Sequence, residues 1–226
     1  MSFKAGIFDL DGVVVNTVPL HFRAWKRMFN EHGKKFTFED YKQKVDGIPR
    51  MDGARAILAE LPDDELKKAA SQKQSYYLEL VDKGEVEIYR TTIDLIKELK
   101  SRGVKIAAAS SSRNCRYILE KTDAIGLFDT IVQGGDFKKG KPDPEIFLLA
   151  ASRLGFKNSE SVVFEDAKLG VEAAKNGDMR CVGIAREGDR DILVKADIVV
   201  EDLKEVNYEK LESLFKNDPS GGSENT

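Results

Sequence analysis

Cysteine is scarce in this chain: two residues, Cys115 and Cys181, among 226. Two thiols cannot build a disulfide framework, and neither sits at a metal-ligand spacing. A small core hydrophobe in a reducing compartment is the expected role of each. Charge of one sign is lacking too. The 36 Lys and Arg against 39 Asp and Glu leave a net charge of −3, which offers no electrostatic footprint for nucleic acid. No stretch approaches the roughly 18 uninterrupted apolar residues of a membrane span. The first apolar run is broken by Asp9 and Asp11, so no signal peptide is expected there. There is no internal repeat, and NDPSGGSENT predicts a disordered tail over 217–226. A soluble, cytoplasmic protein without membrane or nucleic-acid partners is the expectation.

What is present is an alternation. Short apolar runs (KAGIF, VKIAAAS, DTIVQ, SVVFED, CVGIA, ADIVV) are separated by amphipathic stretches such as TTIDLIKELKSRG and DPEIFLLAASRLG, several closing on glycine. This repetition predicts βαβ units and a parallel sheet, an α/β three-layer Rossmann-like core. From Thr17 to Gly84 the rhythm breaks. HFRAWKRMFNEHG, PRMDGARAILAEL and ELKKAASQKQSYYLELVDKG carry helical periodicity, with no strand between them. An all-helical cap over 17–84 is expected, inserted into a core of 1–16 and 85–216 with hinges near 13–17 and 84–90. No apolar stripe is left unassigned, which predicts a monomer.

In such a sheet, ligands gather beyond the carboxyl ends of the strands. The first run ends in Asp9 and Asp11, the second in Ser110, Ser111 and Ser112. The third leads to GGDFKKGKP with Lys141, and the fourth ends in Glu165 and Asp166. Mg²⁺ takes one or two protein carboxylates and binds phosphate oxygen, so Asp9 with Asp166 suits it. A carboxylate such as Asp9 can attack phosphorus and form an aspartyl-phosphate. Lys141 and the Ser110 hydroxyl would stabilise charge on the transferring group, and Asp11 would move a proton.

FDLDGVV, SSSRN, KPDPEIF and VFEDA, in that order, resemble the four motifs of the haloacid dehalogenase superfamily of phosphotransferases. The helical insert and HFRAW look like its β-phosphoglucomutase-like subfamily. The resemblance implies that Asp9 is the phosphorylated nucleophile. Asp11 would be the general acid/base, and its backbone carbonyl would also bind Mg²⁺. Glu165 and Asp166 would help hold the metal, and Ser110 and Lys141 would grip the phosphoryl group. Gly47 and Arg50 would bind substrate from the cap, with Lys73, His21 and Trp25 nearby. Ser111, Ser112, Arg113 and Asn114 would contact substrate from the core. The chain departs from the subfamily at Asp46, where a lysine is usual, although Lys44 is close.

Simpler roles compete for several of these residues. One of Ser110 to Ser112 is expected to cap the helix beginning near Asn114 while another binds phosphate. His21 is equally a boundary histidine, a residue placed like Trp25 is more often cap packing, and without the resemblance Arg50 reads as a solvated charge. GDFKKGKP nearly fits a nucleotide-binding loop, but Pro142 stands where a hydroxyl is needed and lacks an N–H. The favoured reaction is interconversion of β-glucose 1-phosphate and glucose 6-phosphate, with cap closure excluding water. A sugar-phosphate phosphatase is the alternative. A phospho-receiver signalling module is more remote, because it would be near half this length and carry no insert.

Overall fold

The computed structural model describes residues 2–46, 48–186, 188 and 190–216. Gly47 and the tail at 217–226 lie outside them. The chain opens with β1 (Ala5–Phe8), β2 (Val15–Asn16), α1 (Val18–Glu31), α2 (Phe38–Lys44), α3 (Arg50–Ile57) and α4 (Asp63–Asp82). It continues with β3 (Glu87–Ile88), α5 (Arg90–Ser101), β4 (Lys105–Ala109), α6 (Cys115–Lys121), β5 (Thr130–Val132) and α7 (Glu145–Leu154). It ends with β6 (Ser161–Glu165), α8 (Lys168–Asn176), β7 (Arg180–Ile184), β8 (Ile198–Val200) and α9 (Tyr208–Lys216). Two compact units result: residues up to Asn16 together with those from Ile88 onward, and Thr17–Glu87.

The first is a sheet unit. Six strands pair in parallel in the order β5-β4-β1-β6-β7-β8, so β1 lies between β4 and β6. Successive side chains leave a strand on opposite faces. Ile7, Ala107, Val163 and Cys181 face α7 and α8 in one buried cluster. On the other face Gly6 lies against Ile106 of β4 and Leu99 of α5, both within 3.6 Å of where its Cβ would be. Helices thus cover both faces, the α/β arrangement the alternating runs predict. Phe8 and Phe164 are register partners and stack at 4.1 Å, fixing β1 against β6 just before the functional residues begin. Burial of each ring stabilises the fold by about 1.5–3 kcal/mol. Both cysteines are buried and unbridged.

The second is a helical unit. Leu20, Ala24, Trp25, Met28 and Phe29 recur at helical spacing along α1, and all five are buried. Leu66, Ala69, Ala70 and Tyr77 do the same on α4. α2 was not separately legible in the periodicity. It is seven residues long and begins with a capping box, in which Thr37 Oγ1 accepts from the Asp40 N–H and Asp40 accepts from the Thr37 N–H. No helix among the described residues is long and apolar enough to cross a membrane.

Candidate active site

Asp9 leaves β1 with its N–H still on the Phe164 carbonyl at 3.0 Å. The backbone then turns sharply, with Gly12 at φ +76° and its N–H on the Val15 carbonyl at 2.8 Å. A Cβ at Gly12 would overlap the Asp166 carboxylate. Glycine therefore serves twice here: it admits the left-handed turn and lets Asp166 close upon it. Ser110 follows β4, fully buried, with its N–H on the Val132 carbonyl at 2.9 Å. Its Oγ accepts from the Ser112 N–H at 3.1 Å and lies 3.5 Å from Asp11 Oδ2, the limit of a hydrogen bond.

Lys141 joins the strand ends. Its Nζ donates to Asp9 Oδ1 at 2.7 Å and to Glu165 Oε1, and it lies 5.0 Å from the centre of the Phe147 ring. Asn176 Nδ2 donates to the next residue's carbonyl, that of Pro142, at 2.9 Å. Burial pushes the Asp9 carboxyl up to about 7; Lys141 opposes this, while Glu165 and Asp11 add to it. Asp166 is raised well above the ordinary carboxylate range, by burial first and then by Glu165 and Asp9. Burial works against the Lys141 ammonium, but Asp9 and Glu165 outweigh it and hold that group above its usual value. The lysine is a charged clamp at neutral pH.

Among the described residues no three His, Cys, Asp or Glu side chains form a metal-binding group by themselves. Mg²⁺ does not need three: it takes one or two carboxylates and completes its shell with waters and substrate phosphate. Asp9 is buried and Asp166 partly so, the protein alone disfavours both anions, and Asp166 rests on the turn that follows Asp9. That donor set fits a hard divalent cation.

Glu165, expected to help hold the metal, is engaged within the protein. It is buried, and its oxygens accept from Lys141 and, at 2.6 Å, from the Ala167 N–H. A Cβ at Gly170 would overlap it, so this glycine makes room for the carboxylate. In this arrangement Glu165 braces the lysine.

Ser112 takes the capping task, its Oγ accepting from the Asn114 N–H at 3.1 Å. Ser111 and Arg113 are exposed, and Ser112 and Asn114 are partly so. Gly134 donates to the Ser112 carbonyl at 3.1 Å, and a Cβ there would strike the Ser111 carbonyl oxygen.

Within the helical unit, Arg50 opens α3, is exposed and donates to Gln74 Oε1 at 2.7 Å. Trp25, expected among the substrate contacts, is instead core. It is 3% exposed, stacks on Phe29, and lies so close to Gly53 that a Cβ there would come within 2.9 Å of the indole. Lys73 is likewise buried, its Nζ donating to His21 Nδ1 at 2.7 Å and lying over the Trp25 and Tyr77 rings. An ammonium donates only, so His21 accepts at Nδ1 and carries its proton on Nε2. Burial, then Lys73, lowers the His21 pKa well below the usual value. Asp46 accepts from the Tyr41 hydroxyl at 2.9 Å and from Lys42 at 3.2 Å, while Lys44 is paired with Asp40.

The residue missed from sequence is Arg186, whose Nε donates to the Gly12 carbonyl at 3.2 Å. It stands directly after CVGIA, where the strand-end rule that selected Asp9 and Ser110 applies equally.

A family model described as haloacid dehalogenase-like hydrolase matches residues 6–184. The chain belongs to that family. Among haloacid dehalogenase-like proteins it is 36% identical to a phosphorylated carbohydrates phosphatase of Thermotoga maritima, over 90% of this chain and 99% of that one. It is 34% identical to the β-phosphoglucomutase of Bacillus subtilis, over 92% and 93%. The crystal structure of a β-phosphoglucomutase from Clostridium difficile superposes with a TM-score of 0.83 at 29% identity, covering 95% of this chain and 97% of that one. Phosphatases and mutases stand at nearly equal distance. The chain is thus an enzyme of the sugar-phosphate phosphatase and mutase branch of haloacid dehalogenase-like proteins.

Proposed function

We propose that the protein transfers phosphoryl groups on a small sugar phosphate through an aspartyl-phosphate at Asp9, with Mg²⁺ as cofactor. The observation that carries this reading is the Lys141 clamp, a largely enclosed ammonium 2.7 Å from Asp9 and braced by Glu165. Asp9, Asp166 and the Asp11 carbonyl would hold the ion. Bound there, Mg²⁺ would supply charge neutralisation to the phosphate oxygens and to the two carboxylates.

The chain's own residues do the rest. Asp9 attacks phosphorus, and the bond from phosphorus to the sugar oxygen breaks. Asp11 delivers a proton to that leaving oxygen. Lys141 and Ser110 balance negative charge on the transferring group. In the reverse direction a hydroxyl gives its proton to Asp11, attacks the phosphoryl group and frees Asp9.

The favoured reaction is interconversion of β-glucose 1-phosphate and glucose 6-phosphate. Phospho-Asp9 donates to one hydroxyl, the bisphosphate reorients, and Asp9 recovers the other phosphate. Asp46 does not oppose this reading with a bare charge, since Tyr41 and Lys42 occupy its carboxylate. The same contacts favour the second reading, hydrolysis. With Asp46 tied to Lys42 and Lys44 tied to Asp40, this segment offers a bisphosphate no unpaired lysine where the subfamily has one.

A time course decides. β-Glucose 1-phosphate with Mg²⁺, primed by a trace of glucose 1,6-bisphosphate, is followed for glucose 6-phosphate and free phosphate, with Asp9→Asn as blank. Glucose 6-phosphate well ahead of phosphate establishes the mutase, and phosphate alone establishes the phosphatase. Neither product, together with no phosphorylation of Asp9 by other donors, overturns the proposal.

A further inference from the structure

Arg186 follows β7 and takes no part in the transfer steps. Its side chain is only 15% exposed, yet every part of its guanidinium is engaged. Nε donates to the Gly12 carbonyl at 3.2 Å, Nη1 to Asp202 Oδ2 at 2.7 Å, and Nη2 to Thr92 Oγ1 at 3.3 Å. The plane lies 3.8 Å from the centre of the Tyr89 ring.

The partners lead back to the same turn. Thr92, fully buried, accepts from Arg186 and passes its own proton to the Val13 carbonyl at 2.7 Å. The Tyr89 N–H donates to the Val14 carbonyl at 3.0 Å. Three consecutive carbonyls, those of Gly12, Val13 and Val14, are therefore held by Arg186, by Thr92 and by Tyr89. They begin one residue after Asp11. Asp202 fixes the far side of the guanidinium and also accepts from Thr91 Oγ1 at 3.2 Å.

We infer that Arg186 is a positioning residue, which sets the Gly12–Val13 peptide and with it the turn that carries Asp11 and seats Asp166. The inference rests on the function proposed above. A planar fork with donors on three sides and an aromatic beneath it is required, and a lysine offers neither the fork nor the stack. A small swing of the Gly12 carbonyl would carry Asp11 away from the oxygen it must protonate. It would also disturb the surface on which Asp166 rests.

The test compares wild type with Arg186→Ala, Arg186→Lys and Thr92→Val. Turnover of β-glucose 1-phosphate is read as the sum of both products, and amide exchange is read over residues 11–16. Arg186→Ala is expected to lose about 10–100-fold in kcat, as for removal of a supporting contact outside the reacting atoms. KM stays within about threefold, because substrate binding is not what the residue serves. Free guanidinium ion restores part of the Arg186→Ala rate, Arg186→Lys does not recover, and exchange over 11–16 accelerates. Unchanged kcat, or a kcat loss that follows only the unfolded fraction, overturns the inference. Should Arg186→Ala not fold, Thr92→Val carries the test: a smaller kcat loss with faster exchange supports the inference, and wild-type values overturn it. If wild type itself moves no phosphoryl group, the function proposal fails. Exchange over 11–16 then decides the clamp alone, and an unchanged rate overturns it.

Discussion

Lys141 Nζ lies 2.7 Å from Asp9 Oδ1, and one ammonium thereby joins the loop before α7 to the end of β1. Glu165 completes the bridge from the end of β6. Neither carboxylate is stable as a buried anion without that cation.

Removing the cation therefore costs both stability and rate. Lys141→Met is expected to lower unfolding free energy by about 3–5 kcal/mol, as for a buried pair stripped of one partner. Urea unfolding at pH 8 measures it. The loss shrinks as the solution is acidified, because Asp9 relieves its burial by taking up a proton. Turnover should fall by about 10²–10³-fold, the usual effect of deleting one donor to a charged transition state.

The raised pKa of Asp9 sets a pH dependence that metal-free protein will show. A carboxyl whose native pKa of about 7 exceeds its unfolded value binds its proton more firmly when folded. Its contribution is complete below the unfolded value of 3.8 and is lost as pH rises towards about 7. Unfolding with EDTA across pH 4–8 should show this decline, and Asp9→Asn should flatten it. Added Mg²⁺ should restore stability at the alkaline end, and no gain there would sink the metal assignment.

His21 runs the other way. Its native pKa lies well below the usual 6.5, so the unfolded chain takes up the proton first. Stability from this group is complete above that value and falls as the pH drops through it. Unfolding of wild type and His21→Gln between pH 5 and 8 should differ in slope on the acid side. Parallel curves would show that burial and Lys73 do not hold the ring neutral.

At Gly170 two effects compete. Alanine in a helix is worth about 0.5–1 kcal/mol over glycine. The added Cβ would occupy the place of the Glu165 carboxylate, and overpacking typically costs about 1–3 kcal/mol. Gly170→Ala should therefore be net destabilising. It should also lose turnover through the displaced brace, measured as kcat beside the thermal midpoint.

The sheet and its residue-bearing ends were legible because each of the six apolar runs is bounded by polar residues. Asp9, Ser110, Lys141 and Asp166 then followed from where ligands gather around such a sheet. What escaped was contact between distant parts of the chain. Nothing in VFED indicates that Glu165 turns to Lys141, since that depends on the loop at 133–144. Trp25 and Lys73 share helical faces with other apolar residues, and only the folded unit shows how deeply both are buried. Arg186 is one arginine among many, and its task appears only when Gly12, Thr92 and Asp202 surround it. α2 did carry a signal in Thr37 and Asp40, but its seven residues are too few for periodicity to mark.

The strand order also constrains synthesis on the ribosome. β1 is translated before any other strand of the sheet, yet Ala5 pairs with Lys105 on one side and with Ser161 on the other. Neither neighbour exists while the helical unit is being made, so β1 must wait unpaired as a short apolar segment ending in carboxylates. The helices of Thr17–Glu87 are contiguous in sequence and share a core of their own, so their contacts need no later segment. The centre of the sheet closes only when β6 emerges, and the same event brings Asp9, Lys141 and Glu165 together. A truncated nascent chain accordingly carries Asp9 without its Lys141 and Glu165 partners.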